Sequence, residues 1–292
     1  MRQLHCMVAA HQHGWPVKRI LGEWGMSLTL LRSLKTLPDG LLLDGQPCRS
    51  IDRAVQGQTI TVCIPDDACP AQPGGIVVPV MYQDDDVMVL DKPAGMPVHP
   101  VHSYRDNTLA NAFAEILLRQ GKAAAFRPLN RLDRNTSGLV VAALHPFAAA
   151  KLTRRIAKHY TAICCGELSG SGVIDAPLRI KEGYGICREV GEGGQRAVTH
   201  YTVLAASGGY SLLDVTMETG RTHQIRAHMS HIGHPLAGDT MYGPPQQEMP
   251  RHALHCRQVR FVHPVELKTI SANAALPQDM LTFACEKGLL PR

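Results

Sequence analysis

Apolar residues recur at helical spacing from Leu28 to Leu37, with Arg32 and Lys35 on the other side and Ser27 placed to cap the first turn. Leu41, Leu42 and Leu43 then run into Asp44-Gly45, a hairpin-type turn, and Gln58 to Ile64 is a second extended run ending at Pro65. Two short helices followed by a small hairpin sheet fit this first stretch. From Pro65 to Gly75 the chain is rich in Pro and Gly and poor in large apolar residues, the mark of a linker. Beyond it, Val87 to Leu90 reads as a buried strand. Asn107 to Arg119 predicts a helix with Leu109, Phe113, Ile116 and Leu117 on one face. Gly138 to Leu144 predicts a strand and Pro146 to His159 a helix. Further strands are expected over Tyr160 to Gly166, Ala197 to Ala205 and Tyr210 to Met217.

This irregular alternation predicts an α+β fold with a mixed, mainly antiparallel central sheet in residues 76–292. A small α+β domain precedes it in residues 1–70. No internal repeat or low-complexity tail interrupts the 292 residues.

Composition narrows the class without naming a function. Apolar residues make up 45% of the chain, enough for a proper core, and no window holds the roughly 18 uninterrupted apolar residues of a membrane span. Histidines stand where a secretory signal would carry its apolar stretch. The nine cysteines are odd in number and include no CxxC pair, so they read as small hydrophobes in a reducing compartment, with the cytoplasm as default. The formal charge of +5 is compatible with a polyanionic partner and does not demand one.

Two segments concentrate unusual chemistry. In Arg127 to Val141, arginines flank a single aspartate, Asp133, and Thr-Ser-Gly turns the chain into a buried strand. Cationic neighbours favour the charged carboxylate that a nucleophile or an ion-pair partner needs, and both roles stay open on this segment alone. In Glu218 to Pro235, Arg221, Gln224 and His228 fall three and four apart and would share a helix face suited to phosphate or carboxylate partners. His228, His231 and His234 raise a metal reading. No acidic residue sits among them in the HExxH manner and no cysteine completes a set, so no metal is assigned. Asp84-Asp-Asp86 is expected to be a solvated turn, and Cys164 and Cys165 to be unreactive strand residues.

Five separated blocks resemble the RluA-type family of pseudouridine synthases, in that family's order: Lys92 to Pro100, Arg131 to Gly138, Lys158-His-Tyr160, Gly220 to His228 with Gly233 to Asp239, and Leu254-His255 with Phe261 to Pro264. The likeness covers residues from about 80 to 265. Residues 1–70 are similar, on Arg32 to Lys35 and Leu43 to Gly45, to the S-four-type RNA-binding domain. Seven Lys/Arg against six Asp/Glu in residues 1–75 leave that part a net charge of only +1.

The resemblance implies an isomerase that converts specific uridines of a ribosomal or transfer RNA to pseudouridine, with no cofactor and no metal; with no obligatory protein partner evident, a monomer is expected. It implies Asp133 as the catalytic carboxylate, Arg221 as its ion-pair partner and Tyr160 against the target ring. It implies Arg131 as the side chain that fills the gap left by the flipped nucleotide. Gln224 and Arg226 are further RNA-contact candidates, as are Arg32 and Lys35 in the first domain. Asn130 stands where His is more usual, and Arg196 where Lys is. The rival readings are a non-catalytic RNA-binding protein that kept the fold, which the presence of Asp133, Tyr160 and Arg221 argues against, and a histidine-based metal hydrolase.

Overall fold

The computed structural model describes residues 1–100, 105–244 and 248–291. Among them, residues up to Ile64 form a four-stranded sheet. Its strands are β1 (Arg2–Met7), β2 (Leu41–Leu43), β3 (Gln46–Pro47) and β4 (Thr59–Ile64), in the order β1-β4-β2-β3. Helices α1 (Val17–Glu23) and α2 (Leu28–Leu34) supply the apolar side chains that cover it. The Ser27 hydroxyl accepts from the Leu30 amide at 3.2 Å, which fixes where α2 begins. Asp44 and Gly45 both take positive φ, the backbone of a tight hairpin turn. The strand at Arg2–Met7 was not foreseen; its alternation is short and its outward positions include Met7, which is exposed.

A larger sheet follows, ten-stranded among the described residues. Its strands begin with β5 (Val80–Gln83), β6 (Val87–Lys92), β7 (Arg127–Pro128) and β8 (Ser137–Ala143). Next come β9 (Ala157–Cys165) and β10 (Ser171–Asp175). A separate hairpin, β11 (Leu178–Ile180) with β12 (Arg188–Val190), interrupts the run. The sheet is completed by β13 (Val198–Ser207), β14 (Tyr210–Met217), β15 (Leu254–Val262) and β16 (Thr269–Asn273). The main order is β10-β13-β14-β9-β15-β8-β6-β5, with β7 beside β8 and β16 beside β15. Pairings are antiparallel except β8 with β15, which run parallel at Ser137–His255 and Gly138–Cys256. This is the mixed, mainly antiparallel α+β sheet expected. Gly138 is required at that parallel contact: its φ is +109° and a Cβ there would overlap the Cys256 backbone.

Helices α3 (Leu109–Arg119), α4 (Pro146–Leu152), α5 (Gln224–His231) and α6 (Gln278–Glu286) pack around the sheet. Leu109, Phe113, Ile116 and Leu117 are buried as their spacing required. The helix expected to continue to His159 instead stops at Leu152. Arg154 adopts φ +63° and the chain re-enters the sheet at Ala157, where Tyr160, Thr161, Ala162 and Ile163 are buried. Sheet burial of this run outweighs its local helical pattern.

The two sheets touch through specific groups. Phe147 of α4 belongs to the first core, its ring 4.6 Å from Trp24. Arg2 places Nε and Nη2 on the two oxygens of Asp86, each at 2.9 Å, and His145 Nε2 lies 2.7 Å from Asp86 Oδ1. The acidic run is therefore not a solvated turn: Asp86 is buried, and Asp84 caps the turn by accepting from the Asp86 and Val87 amides. No described helix is long and apolar enough to cross a membrane.

Candidate active site

Asp133 sits on the loop between β7 and β8, the Asn130–Thr136 segment. Three devices hold this loop. Its entry is tied to β8 by the buried Asn130 amide, which donates to the Leu139 carbonyl at 3.0 Å and accepts from the Val141 amide at 2.9 Å. That pairing explains why an asparagine serves there without any chemical role. The Thr136 amide closes a turn on the Asp133 carbonyl at 3.1 Å, and the Thr136 hydroxyl meets His252 Nε2 at 2.8 Å. Arg251, buried, gives Nη1 to the Asn135 carbonyl at 3.1 Å and grips Asp279 of α6 with Nε and Nη2 at 2.6 and 2.9 Å.

Under the loop lies Lys92, wholly buried, with Nζ donating to the carbonyls of Pro93, Met96 and Arg134 at 2.9, 2.8 and 3.0 Å. Burial pushes its ammonium down to about 7, with nearby Arg251 adding to the drop while Asp133 and Asp91 oppose it. Three carbonyls satisfy all three N–H bonds, so the lysine is a spacer between the β6 loop and the Asp133 loop, with no proton acceptor of its own.

The side chain of Asp133 opens into a cleft shared with Arg131, Tyr160, Arg221, His223 and Arg226. Its ion-pair partner is Arg226, not Arg221: Arg226 Nη1 donates to Asp133 Oδ2 at 3.2 Å. The same guanidinium binds Asp239 in bidentate fashion, Nε to Oδ2 at 2.7 Å and Nη2 to Oδ1 at 2.9 Å, and lies over the Tyr242 ring. Arg221 lies before α5, on the rim, exposed, with Nε on the Arg196 carbonyl at 3.1 Å. The expected helical face was off because α5 starts only at Gln224. His223 ahead of it takes φ +55° and turns the chain, so spacing counted through Arg221 does not hold.

Gln224 and Arg226, the further RNA-contact candidates, are both buried at the wall of the cleft. Gln224 is buried, its oxygen accepting from the Thr219 hydroxyl and the Arg221 amide, its NH2 donating to Val198 and Thr199. With every polar site used, it fastens α5 to β13. Burial would weaken the charge on Asp239, but the Arg226 pair outweighs it and holds that carboxyl below its usual range. Tyr160 lies at the base of the cleft, 3% exposed, with its hydroxyl near the Cys256 thiol. Burial and that thiol push the Tyr160 hydroxyl well above its ordinary value. Arg131 is exposed at the cleft, whereas Arg196 is a rim residue paired with Glu218. Arg32 on α2 and Lys35 just past its C-terminus are both exposed.

The histidine run does not form a common donor set. His228 is buried with Nδ1 on the Thr199 hydroxyl and Nε2 on the Ala176 carbonyl, and His234 Nδ1 is on the Cys165 carbonyl. Elsewhere, Asp84, Asp86 and His263 bring ligand-type atoms together, but the Arg2 guanidinium already neutralises Asp86 there.

A cleft built on one loop aspartate, a buried arginine and a strand tyrosine is accompanied by likeness across the chain. The sequence profile of the RNA pseudouridylate synthase family matches residues 86–231. An RNA pseudouridine synthase of Bacillus subtilis, itself uncharacterised, is 34% identical over 274 residues, covering 90% of this chain and 96% of its own.

The chain belongs to the RNA pseudouridine synthase family.

A ribosomal large subunit pseudouridine synthase D of Zymomonas mobilis is 35% identical, over 91% of this chain and 92% of its own. The human RNA pseudouridylate synthase domain containing 4 shares the fold, with TM-score 0.56 at 23% identity over 70% of this chain and 91% of its own. This pseudouridine synthase is thus an isomerase acting on RNA. The residues that sequence reasoning left without a role are His223, Asp239, Arg251 and His252. Asp239 and His223 lie inside the family-like blocks; Arg251 and His252 lie one residue ahead of Leu254-His255, separated by Ala253, and only three-dimensional contact with the Asp133 loop marks them.

Proposed function

We propose that Asp133 is the nucleophilic carboxylate of this synthase and that its substrate is a uridine flipped out of a structured RNA. In the reaction the bond from N1 to the sugar breaks, the base turns, a bond from carbon 5 to the sugar forms, and the proton lost at carbon 5 is balanced by one gained at N1. The observation that carries the reading is the Asp133 carboxylate held open to the cleft by the buried Arg226. Arg226 gives Asp133 one hydrogen bond and keeps the rest of its charge on Asp239, leaving an Asp133 oxygen free to meet the sugar. Tyr160 supplies a flat wall for the uracil, and Arg131 at the mouth is suited to occupy the space the nucleotide vacates.

Ribosomal RNA is the favoured substrate class, supported by the relatives named for the large ribosomal subunit; transfer RNA is the alternative. Residues 1–70 act in this reading as an S-four-like module that guides RNA with Arg32 and Lys35, its small net charge making that contribution modest. We place the enzyme in the cytoplasm as a monomer. The test is Asp133→Asn on uridine-containing ribosomal RNA, read with a pseudouridine-specific chemical probe. Loss of product with RNA binding retained supports the assignment, and a variant as active as wild type overturns it. Mapping pseudouridine in cellular RNA with and without the protein names the site.

A further inference from the structure

We propose that His223 is the base that removes the proton from carbon 5 once the new carbon–carbon bond to the sugar has formed. The inference rests on the reading of Asp133 above and extends it to the last chemical step, for which a proton acceptor must face the base.

The titratable groups in the cleft and in the layer behind it differ in what they can accept. Arg131, Arg221 and Arg226 are guanidinium cations with no acceptor site. Tyr160 accepts a proton only as a phenolate, and burial beside Cys256 disfavours that form. Lys92 gives all three N–H bonds to carbonyls beneath the loop, and His252 turns its Nε2 to the Thr136 hydroxyl, behind the Asp133 loop. His223 remains. Its Nε2 lies 3.8 Å from Asp133 Oδ2 on the cleft wall, too far for a hydrogen bond and close enough for a shared substrate atom.

The other ring nitrogen sets the tautomer. His223 Nδ1 is 3.0 Å from the Tyr242 hydroxyl, which also accepts from the Arg188 amide at 2.7 Å. In the tautomer whose Nδ1–H donates to the Tyr242 oxygen, Nε2 carries the lone pair on the side of Asp133. Burial lowers the His223 pKa, which keeps the imidazole neutral and basic before the step, while Asp133 opposes that drop. When the carbon 5 bond forms, the Asp133 carboxylate is released from the sugar. The C5–H electron pair then restores the ring double bond, the proton passes to Nε2, and the imidazolium faces a free carboxylate. N1 takes a proton from the imidazolium or from water, so none is consumed overall. The backbone agrees with a built feature: a histidine at φ +55° is held in a disfavoured region directly beside the carboxylate.

The test uses His223→Asn and His223→Gly, both suited to a left-handed backbone. Each is assayed on RNA with uridine, uridine deuterated at carbon 5, and 5-fluorouridine at the target. Fluorine leaves no proton to remove at carbon 5, so consumption of that RNA needs only the earlier steps, after which water adds at carbon 6. The expected result is turnover on uridine RNA reduced about 100-fold or more, a large carbon 5 deuterium isotope effect, and 5-fluorouridine RNA consumed at the wild-type rate. Equal losses on uridine and fluorouridine RNA, or turnover on uridine within a few-fold of wild type, overturn the role of His223 and leave Asp133 standing. An Asp133→Asn enzyme that still consumes fluorouridine RNA overturns the underlying reading, and the inference with it.

Discussion

Replacing Arg226 by methionine isolates the charge balance on which the cleft depends. Methionine fills similar volume but leaves Asp239, whose side chain is 1% exposed, with the amides of Met241 and Tyr242 as its remaining hydrogen-bond donors. Breaking a buried ion pair from one side costs about 3–5 kcal/mol. At roughly 2–4 °C per kcal/mol for a chain near this size, the melting temperature falls by about 6–20 °C. The sign of the pH dependence is a sharper check. In the wild type, Asp239 has a folded pKa below the unfolded value of about 3.9, so its contribution is complete above that value and is lost only as pH falls through the depressed folded pKa. Without Arg226, burial is opposed only weakly and the folded pKa moves above the unfolded one. The folded state then binds more protons, and stability declines as pH rises from about 4 to 7. Urea denaturation of both proteins at pH 4, 5.5 and 7 should show a gap that widens toward neutrality. Arg226→Lys keeps a charge but cannot span two carboxylates, so it should recover part of the stability while turnover stays low. A gap that does not change with pH, or one below about 1 kcal/mol, would refute the assignment of Arg226 as a buried bridge.

Arg251→Met removes the donor shared by the carbonyls of Asn135, His252 and Leu254 and by Asp279. A loss of about 3–5 kcal/mol in chemical denaturation should accompany slower turnover, and unchanged turnover would show that α6 does not brace the Asp133 loop. Lys92→Met should differ from wild type in a pH-dependent way, because the folded pKa of about 7 lies below the unfolded value. The cost of burying that charge is full below pH 7 and is relieved as pH rises, so wild-type stability should gain on the variant by up to about 1.4 kcal/mol per pH unit between pH 7 and 9. Asp86→Asn should remove an acid-sensitive contact between the two sheets. Burial opposes the charge on Asp86, yet His145 and Arg2 hold its pKa at about 2, so the wild-type contact is complete above pH 4 and lost toward pH 2, whereas the variant should unfold with a flatter acid limb.

The parts of this fold legible in the sequence are those where local pattern and burial agree. The α3 face, the Asp44-Gly45 turn and the strand at Tyr210–Met217 each follow from spacing within one element. Reading failed where a single backbone angle decides. Arg154 and His223 both take positive φ, a choice that neither residue type announces, and each ends or delays a helix that periodicity alone would continue. The second of these broke the helix face expected for Arg221, Gln224 and His228, because a face counted on 3.6 residues per turn is meaningless across a non-helical hinge; the Arg221 ion pair, implied by the family resemblance, falls instead to Arg226, five residues on. Asp86 failed for a different reason: its partner Arg2 is 84 residues away, and a run of three acids gives no sign of a distant guanidinium.

The site follows an uneven division of charge. Asp133 and Asp239 compete for one guanidinium, and geometry decides in favour of Asp239, which takes two short bonds where Asp133 takes one at 3.2 Å. A symmetric bridge would tie both Asp133 oxygens and leave a spectator. The asymmetric one anchors Arg226 rigidly through the buried carboxylate and offers Asp133 only a single directing contact, so that its second oxygen faces the cleft. In the proposed mechanism Asp239, which does not line the cleft, positions Arg226 and through it Asp133. Asp239→Asn, which weakens that anchor while leaving Asp133 and its loop in place, should then lower turnover more than it lowers RNA affinity.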